Sequence, residues 1–407
     1  MAYKIRNFES HILAAVGFLL VCLLMTLVAL PATDAQKDES VVQPTQKHQI
    51  YLPVFFRDAL SFHLFVPLHL SPVSAPALMR SAHSSSYTNQ VRRQGDPPNA
   101  FVRRIGEDLQ LDGQPYTFVG TNVSYLAGPF FPETHMEEIV SFLASNGVQV
   151  IRVWAEPWCD LERVGRLVDL AGKYNVRLIL TLQNFFGSTD GWWFKGKVET
   201  VDLPHIRNIV PLFANRPEVL MWELMNEPTC PAEDANQSCW DAFVRWADVT
   251  SSEIKRLDPN HLVSVGTQHA GFDRASAEAF RRVHTLDTID LVSVHCGVNH
   301  SPEKELAIAH ELGKPIYFGE VGMLGFDEGC RPLSHEVLKH RAQAIAQSIA
   351  KSREVGVDGY LLWQYAYGGV DMGSHIEYYC GVYDYFADDP VWQIIRAANS
   401  ISTPATR

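Results

Sequence analysis

Cysteine is scarce, at seven in 407 residues, and no pair stands in a CxxC or a Cys/His cluster of zinc-ligand spacing. A structural metal centre is therefore not expected. Charge is also low, at 20% of residues, and cationic side chains are outnumbered, with 34 Lys and Arg against 46 Asp and Glu. The imbalance is uneven: residues 1–104 carry a net +4, and residues 105–407 a net −16. A body that acidic argues against nucleic acid, whose phosphates need Lys and Arg to neutralise them. No Gly-rich phosphate loop comes after the first strand-like run, and no internal repeat is present. What is abundant is apolar and aromatic surface: 46% hydrophobic residues, including 9 Trp, 14 Tyr and 21 Phe. That composition excludes a disordered or fibrous chain. Most of these rings belong in a core; the rest offer flat faces of the kind that cover sugar rings.

The amino-terminal third reads differently from the remainder. Ile12 to Leu30 is a run of 19 residues without a charge, preceded by Lys4 and Arg6 and followed by Asp34, Lys37, Asp38 and Glu39. Its length suffices to span a bilayer, while Pro31 and the small residues near Ala32 and Ala35 offer a cleavage site. Residues 1–36 are thus a signal peptide or a membrane anchor through 12–30. Either way the basic flank predicts export of the rest of the chain, secreted or held at the outer face of the membrane. Residues 37–98, with recurring Pro and Ser, read as a spacer. Export permits disulfides, and Cys230 with Cys239 closes a short polar loop and is the one specific pairing expected.

From about residue 99 the pattern becomes repetitive. Eight short apolar runs (118–122, 150–154, 178–182, 219–223, 262–266, 291–295, 316–319 and 359–363) alternate with amphipathic segments such as 137–145, 161–174, 240–257, 302–312 and 334–355. This predicts an α/β fold, a (β/α)8 TIM barrel over residues 99–402. A doubly wound open sheet is the alternative, disfavoured by the missing phosphate loop.

In such a barrel the chemistry sits where the strands end. The ends supply Asn122, Arg152 and Trp154, Gln183 and Asn184, Asn226 and Glu227, Gln268 and His269, His295, Glu320, then Trp363 and Gln364. Glu227 closes the fourth strand in Trp222-Glu223-Leu224-Met225-Asn226-Glu227-Pro228. Glu320 closes the seventh in Tyr317-Phe318-Gly319-Glu320-Val321-Gly322. Two carboxyls facing each other across one mouth can act on one bond: an acid protonates a glycosidic oxygen while a carboxylate attacks or activates water.

Asn226-Glu227-Pro228 after an apolar strand, with Glu320 after a later one, resembles the clan A retaining glycosidases, and most of all glycoside hydrolase family 5. The resemblance covers roughly residues 99–400. It implies Glu227 as acid/base, Glu320 as nucleophile, Asn226 as holder of the sugar 2-hydroxyl, Arg152 as support of the nucleophile, His295 as the histidine after strand 6, and Trp363 as the floor at the cleavage point. It implies no metal or organic cofactor. One departure stands out: the family's Tyr two residues after that histidine is Gly297 here. Arg152 is expected to keep Glu320 ionised, and apolar or anionic neighbours to keep Glu227 protonated.

Gly120-Thr121-Asn122-Val123-Ser124-Tyr125, Thr181-Leu182-Gln183-Asn184-Phe185-Phe186 and Gly191-Trp192-Trp193 look like the endo-β-1,4-mannanase branch. Trp154, Trp158, Trp192 and Trp193 are candidates for a stacking floor beside Asn122 and Asn184. The expected substrate is a β-linked polysaccharide, mannan or glucomannan, acted on by a monomer. A cellulase or other β-glucanase, a surface transglycosylase and a non-catalytic carbohydrate-binding barrel remain as alternatives.

Overall fold

The computed structural model describes residues 101–400 apart from 130, 185–195, 231–235, 271–273, 324–333 and 368–384. The expectations for residues 1–98, and for Trp192 and Trp193, lie outside the described residues. Among those described, no helix is long and apolar enough to cross a membrane.

Three short strands come first, β1 (Arg103–Ile105), β2 (Asp108–Leu111) and β3 (Gln114–Pro115), forming a small antiparallel sheet. Eight more form one parallel sheet: β4 (Phe118–Asn122), β5 (Val150–Trp154), β6 (Arg177–Thr181), β7 (Val219–Glu223), β8 (Leu262–Ser264), β9 (Val292–Gly297), β10 (Ile316–Gly322) and β11 (Gly359–Leu362). Their order is β8-β7-β6-β5-β4-β11-β10-β9. The seam between the two ends, β8 and β9, is closed by a parallel bridge of Gln268 with His295. Asp290 N donates to Val263 O at 2.8 Å and His295 N to Thr267 O at 3.0 Å across the same seam. The (β/α)8 barrel forms as expected, and the open sheet does not.

The helices are α1 (Met136–Ser145), α2 (Leu161–Tyr174), α3 (Leu203–Phe213), α4 (Gln237–Leu257), α5 (Arg274–His284), α6 (Glu303–Leu312), α7 (His335–Glu354) and α8 (Val391–Ser400). Local chemistry marks several of their ends. Asp160 accepts from Glu162 N at the start of α2, and Asn175 in the left-handed region ends it. Gly313 ends α6 in the same way. The segments named from the sequence do not include α3, α5 or α8. Pro204 lies in the first turn of α3, where a missing N–H costs little, and Pro211 is tolerated inside it. In α5 mostly polar residues obscure the buried face of Ala279, Phe280 and Val283.

Strand alternation divides the apolar residues between two cores. Phe118, Val150, Ile179, Met221, Leu262, Leu291, Tyr317 and Leu361 fill the barrel interior, joined by Val102 and Leu109 from the antiparallel segment. Val119, Ile151, Val153, Leu180, Trp222, Val263, Phe318 and Leu362 pack outward with the helices. Each fully buried Leu, Ile or Phe contributes about 1.5–3 kcal/mol relative to exposure. The interior is thus sealed at the end bearing β1–β3, and the polar strand ends meet at the other.

Cys230 and Cys239 form the expected disulfide, nine residues apart, just beyond β7 and at the start of α4. The double variant Cys230→Ser, Cys239→Ser should be less stable than the wild type by about 2–3 kcal/mol on the loop-entropy model. Chemical denaturation checks this, and an unchanged midpoint would count against the contribution assigned to the loop.

Candidate active site

The site is organised by one buried cation. Arg152 lies on the inward face of β5 with no exposed surface. Its Nε and Nη2 donate to Glu223 Oε1 at 2.8 and 2.6 Å, its Nη1 to Glu320 Oε1 at 2.6 Å and Asn122 Oδ1 at 2.8 Å, and its Nη2 also to Asn226 Oδ1 at 2.9 Å. Burial alone would discharge the guanidinium. The charges of Glu223 and Glu320 outweigh it and hold the pKa above its ordinary value. Glu223 is equally buried and is held below the usual carboxylate range against its own desolvation, chiefly by Arg152. It accepts further bonds from Thr181 Oγ1 at 2.9 Å and Tyr317 OH at 2.6 Å.

Glu320 reaches the mouth through a break in strand register. Tyr317 faces the barrel interior and Phe318 the helix layer, so strict alternation would turn Glu320 outward with Phe318. Between Phe318 and Glu320 the pairing with β9 shifts: Phe318 opposes Val294, and Glu320 opposes the next residue, His295. The extra residue is Gly319, and it re-aims the carboxyl inward. Only glycine fits, because a Cβ there would lie 2.8 Å from His295 Nε2.

Glu227 stands past the end of β7 with a φ of +47°. A non-glycine residue in that region is strained and persists only where its surroundings enforce it. Here Glu227 N donates to Gly266 O at 2.8 Å. Gly266 itself has φ +87°, and a Cβ on it would collide with Met225 O and the Glu223 carboxyl. Gln268 Nε2 donates to Glu227 Oε2 at 3.0 Å. His295 Nδ1 lies 3.2 Å from Glu227 Oε1 and 3.5 Å from Glu320 Oε1. The side chains of Glu227 and Glu320 stay 22% and 13% exposed, so both open on the mouth.

One donor atom from each of Glu227, His295 and Glu320 lies within 4.8 Å of the other two. The oxygens of the two Glu residues therefore approach more closely than the roughly 6.5–9.5 Å of inverting carboxyl pairs, and nearer the about 5–5.5 Å of retaining ones. These three side chains could also ligate a cation, although Arg152 already holds Glu320 Oε1.

The electrostatics depart from the sequence expectation. Glu227 is not surrounded by apolar or anionic groups. Burial works to raise its pKa, but the hydrogen bonds from His295 and Gln268 and the histidine's charge hold it below the ordinary carboxylate value. Glu320 moves the other way: burial pushes it up, against His295 and Arg152, with Glu227 adding to the rise. His295 Nδ1 stands between the two carboxyls and works to lower both: at Glu227 it and Gln268 prevail over burial, and at Glu320 burial prevails.

The other expected residues are distributed around this centre. Asn122 is buried and donates to Gly319 O and Leu362 O at 2.9 and 3.0 Å, binding β4 to both neighbours of the site. Asn226 Nδ2 donates to Asn184 Oδ1 at 3.1 Å. Trp154 and Trp363 are half-buried, with ring centroids 6.1 Å apart. Trp158 is 52% exposed. Among the described residues, nothing approaches the Cβ position of Gly297 closer than Gly322 O at 4.0 Å. Among the described residues, the donors beside Glu320 are Arg152 and His295, and Tyr317 OH turns to Glu223 instead. Sequence reasoning placed Gln268 at a strand end without a partner, and did not single out Glu223 or Tyr317 for this assembly. The one available signal was Glu223 itself, a charge on the barrel-facing register of an apolar strand.

A parallel eight-stranded barrel with two glutamates converging at its strand-end mouth is an arrangement in which a two-carboxyl hydrolysis of a glycosidic bond can take place. A family model described as GH family 5 beta-mannosidase-like matches residues 191–302. The probable mannan endo-1,4-beta-mannosidase F of Neosartorya fischeri is 25% identical over 331 residues, covering 65% of this chain and 68% of that protein. Mannan endo-1,4-beta-mannosidase A of Hypocrea jecorina is 25% identical over 60% of this chain and 68% of its own. In fold, the endo-1,4-beta-mannanase of Rhizomucor miehei superposes with a TM-score of 0.59 at 19% identity, over 74% of this chain and 98% of that one. The chain is similar in sequence to mannan endo-1,4-beta-mannosidases and, over residues 191–302, to the GH family 5 beta-mannosidase-like model.

Glu223→Gln would leave Arg152 with one carboxylate fewer in a buried setting. We expect a loss of about 3 kcal/mol in stability together with a fall in kcat, measured by denaturant unfolding and by turnover of an aryl glycoside. A variant matching the wild type in both would remove Glu223 from this scheme.

Proposed function

We propose that this chain hydrolyses β-1,4-linked mannan or glucomannan by double displacement, with Glu320 as nucleophile and Glu227 as acid/base. The observation that carries the reading is the convergence of the two carboxyls, with Arg152 Nη1 bonded at 2.6 Å to one of them. The names of the relatives support mannan as the substrate class.

In the first step a Glu320 oxygen attacks the anomeric carbon, the glycosidic C–O bond breaks, and the proton of Glu227 passes to the leaving oxygen. In the second, water gives its proton to Glu227 while its oxygen displaces Glu320. Arg152 bears the charge that returns to Glu320 as the covalent bond breaks. His295 Nδ1, within reach of both carboxyls, holds Glu227 in place beside the leaving oxygen. Asn226 exchanges its bond to Asn184 for the sugar 2-hydroxyl. Trp363 floors the sugar at the point of cleavage. The apolar run 12–30 behind Lys4 and Arg6 supports export, and 99–402 is the catalytic domain behind the spacer 37–98.

Glu320→Ala should abolish turnover on every substrate. Glu227→Ala should spare much of the first step with an activated aryl leaving group and accumulate the intermediate, giving a burst. Added azide should then restore turnover as a glycosyl azide of retained configuration, read by NMR. Rescue with retention in Glu320→Ala instead would reverse the two roles.

A further inference from the structure

A buried acid in the helix layer stands behind the mouth, and the chemistry above does not use it. Asp202 closes a π-turn, Val198–Asp202, that runs straight into α3. It is 2% exposed, and its carboxyl does not cap the helix it precedes. It turns inward instead. Oδ1 accepts from Gln183 Nε2 at 2.7 Å, and Oδ2 from Trp246 Nε1 of α4 at 2.8 Å. Both donors are neutral. An acid at the start of a helix ordinarily serves the first-turn N–H groups, and a carboxylate buried among neutral groups is unfavourable unless its place has a use. Burial pushes Asp202 up to about 6, against the hydrogen bonds from Trp246 and Gln183. At neutral pH it is therefore ionised, and both oxygens accept.

What Asp202 holds lies one step from the reacting groups. Gln183 is the second residue beyond β6. Leu182 belongs to the helix-side core, so strict alternation would turn Gln183 into the mouth. The bond to Asp202 draws its side chain to the helix side, into a cavity shared with His205, Trp246 and Thr250. Its main chain stays with the site. Gln183 O accepts from Asn226 N at 2.8 Å, and Asn184 pairs with Asn226 in a parallel bridge. Asn226 is thus held by Gln183 O at its backbone, and by Asn184 Oδ1 and Arg152 Nη2 at its side chain. When a sugar 2-hydroxyl takes the place of Asn184, Gln183 O and Arg152 remain. Gln183 Oε1 is buried with no hydrogen-bond partner. The cavity beside it has room for about one water molecule, so the amide can turn end for end without displacing its neighbours.

We propose that Asp202 is a positioning residue: it anchors the Gln183 side chain in the helix layer, and through the Gln183 carbonyl it fixes Asn226 where the 2-hydroxyl of the sugar at the cleavage point is held. This inference rests on the double-displacement reading and adds to it a residue outside the mouth that no substrate atom touches.

The test compares an aryl β-mannobioside with its analogue lacking the 2-hydroxyl of the sugar bonded to the aryl group, on the full chain. Asp202→Ala should lower kcat/KM on the hydroxylated substrate about tenfold and leave the deoxy analogue within about twofold, because only the first uses the grip of Asn226. Gln183→Leu cuts the same link from the strand side and should show the same split, which keeps the comparison decisive if Asp202→Ala does not fold. Asp202→Asn should stay within about threefold of the wild type on both substrates, since its amide keeps an oxygen for Trp246 and offers an N–H to Gln183 Oε1 once that amide has turned. Equal losses on the two substrates would make Asp202 a packing residue and overturn the inference. Unchanged rates in Asp202→Ala and Gln183→Leu would do the same, as would an Asp202→Asn as impaired as Asp202→Ala. In each of these cases a wild type that prefers the hydroxylated substrate leaves the grip of Asn226 standing. A wild type without that preference removes the grip, one that cleaves neither substrate removes the glycosidase reading, and the inference falls with either.

Discussion

The structure depends on the guanidinium of Arg152. A cation with no exposed surface in the middle of a barrel is tolerable only if carboxylates and amides take its donors. Glu223, Glu320, Asn122 and Asn226 do so, from β7, β10, β4 and the segment after β7. One side chain on β5 thereby fixes three other parts of the barrel mouth at hydrogen-bond precision. Two donors, Nε and Nη2, converge on Glu223 Oε1 and set the plane of the fork, and that plane aims Nη1 at Glu320. The reacting carboxyl is held by a network whose other members never need to touch substrate.

Around this centre the backbone departs from regularity at the two glutamates. A bulge at Gly319 turns Glu320 inward, and a positive φ carries Glu227 into the mouth. Both departures need glycine nearby, Gly319 against His295 and Gly266 against Met225 and Glu223. Local strain of this kind costs on the order of 1–3 kcal/mol per residue and is sustained by the well-packed layers on either side of the strands. The barrel supplies rigidity, and the irregular strand ends spend part of it on geometry.

The place of His295 alters how the pair of acids behaves. With Nδ1 between them, the carboxyls share one neighbouring histidine, and the division into one raised and one lowered acid runs opposite to expectation: Glu227 moves down, and burial pushes Glu320 up. Gly297 leaves no side chain where the resemblance to family 5 leads one to expect a tyrosine, and the described donors near Glu320 are Arg152 and His295. The histidine thus stands beside both acids at once.

Much of this was legible in the sequence. Eight apolar runs at βα spacing specify a barrel because each must be buried on both faces, and four of them, β4, β5, β7 and the start of β10, coincide with strands at the residues expected. Glu227 and Glu320 stood out because carboxyls at the ends of such runs have a reason to be there, and Cys230 with Cys239 because their loop is short. Other features depended on contacts between residues far apart in the chain. Glu223 looked like one more strand residue until Arg152, 71 positions earlier, proved to be its partner. Gln268 gained a role only when the β7–β8 seam laid it on Glu227. Periodicity would have pointed Glu320 away from the mouth, and a one-residue register shift reversed it. Composition and spacing determine which segments are buried and which ends gather; where each side chain points, and what charge its neighbours leave on it, is decided by packing across strands that the linear pattern cannot place side by side.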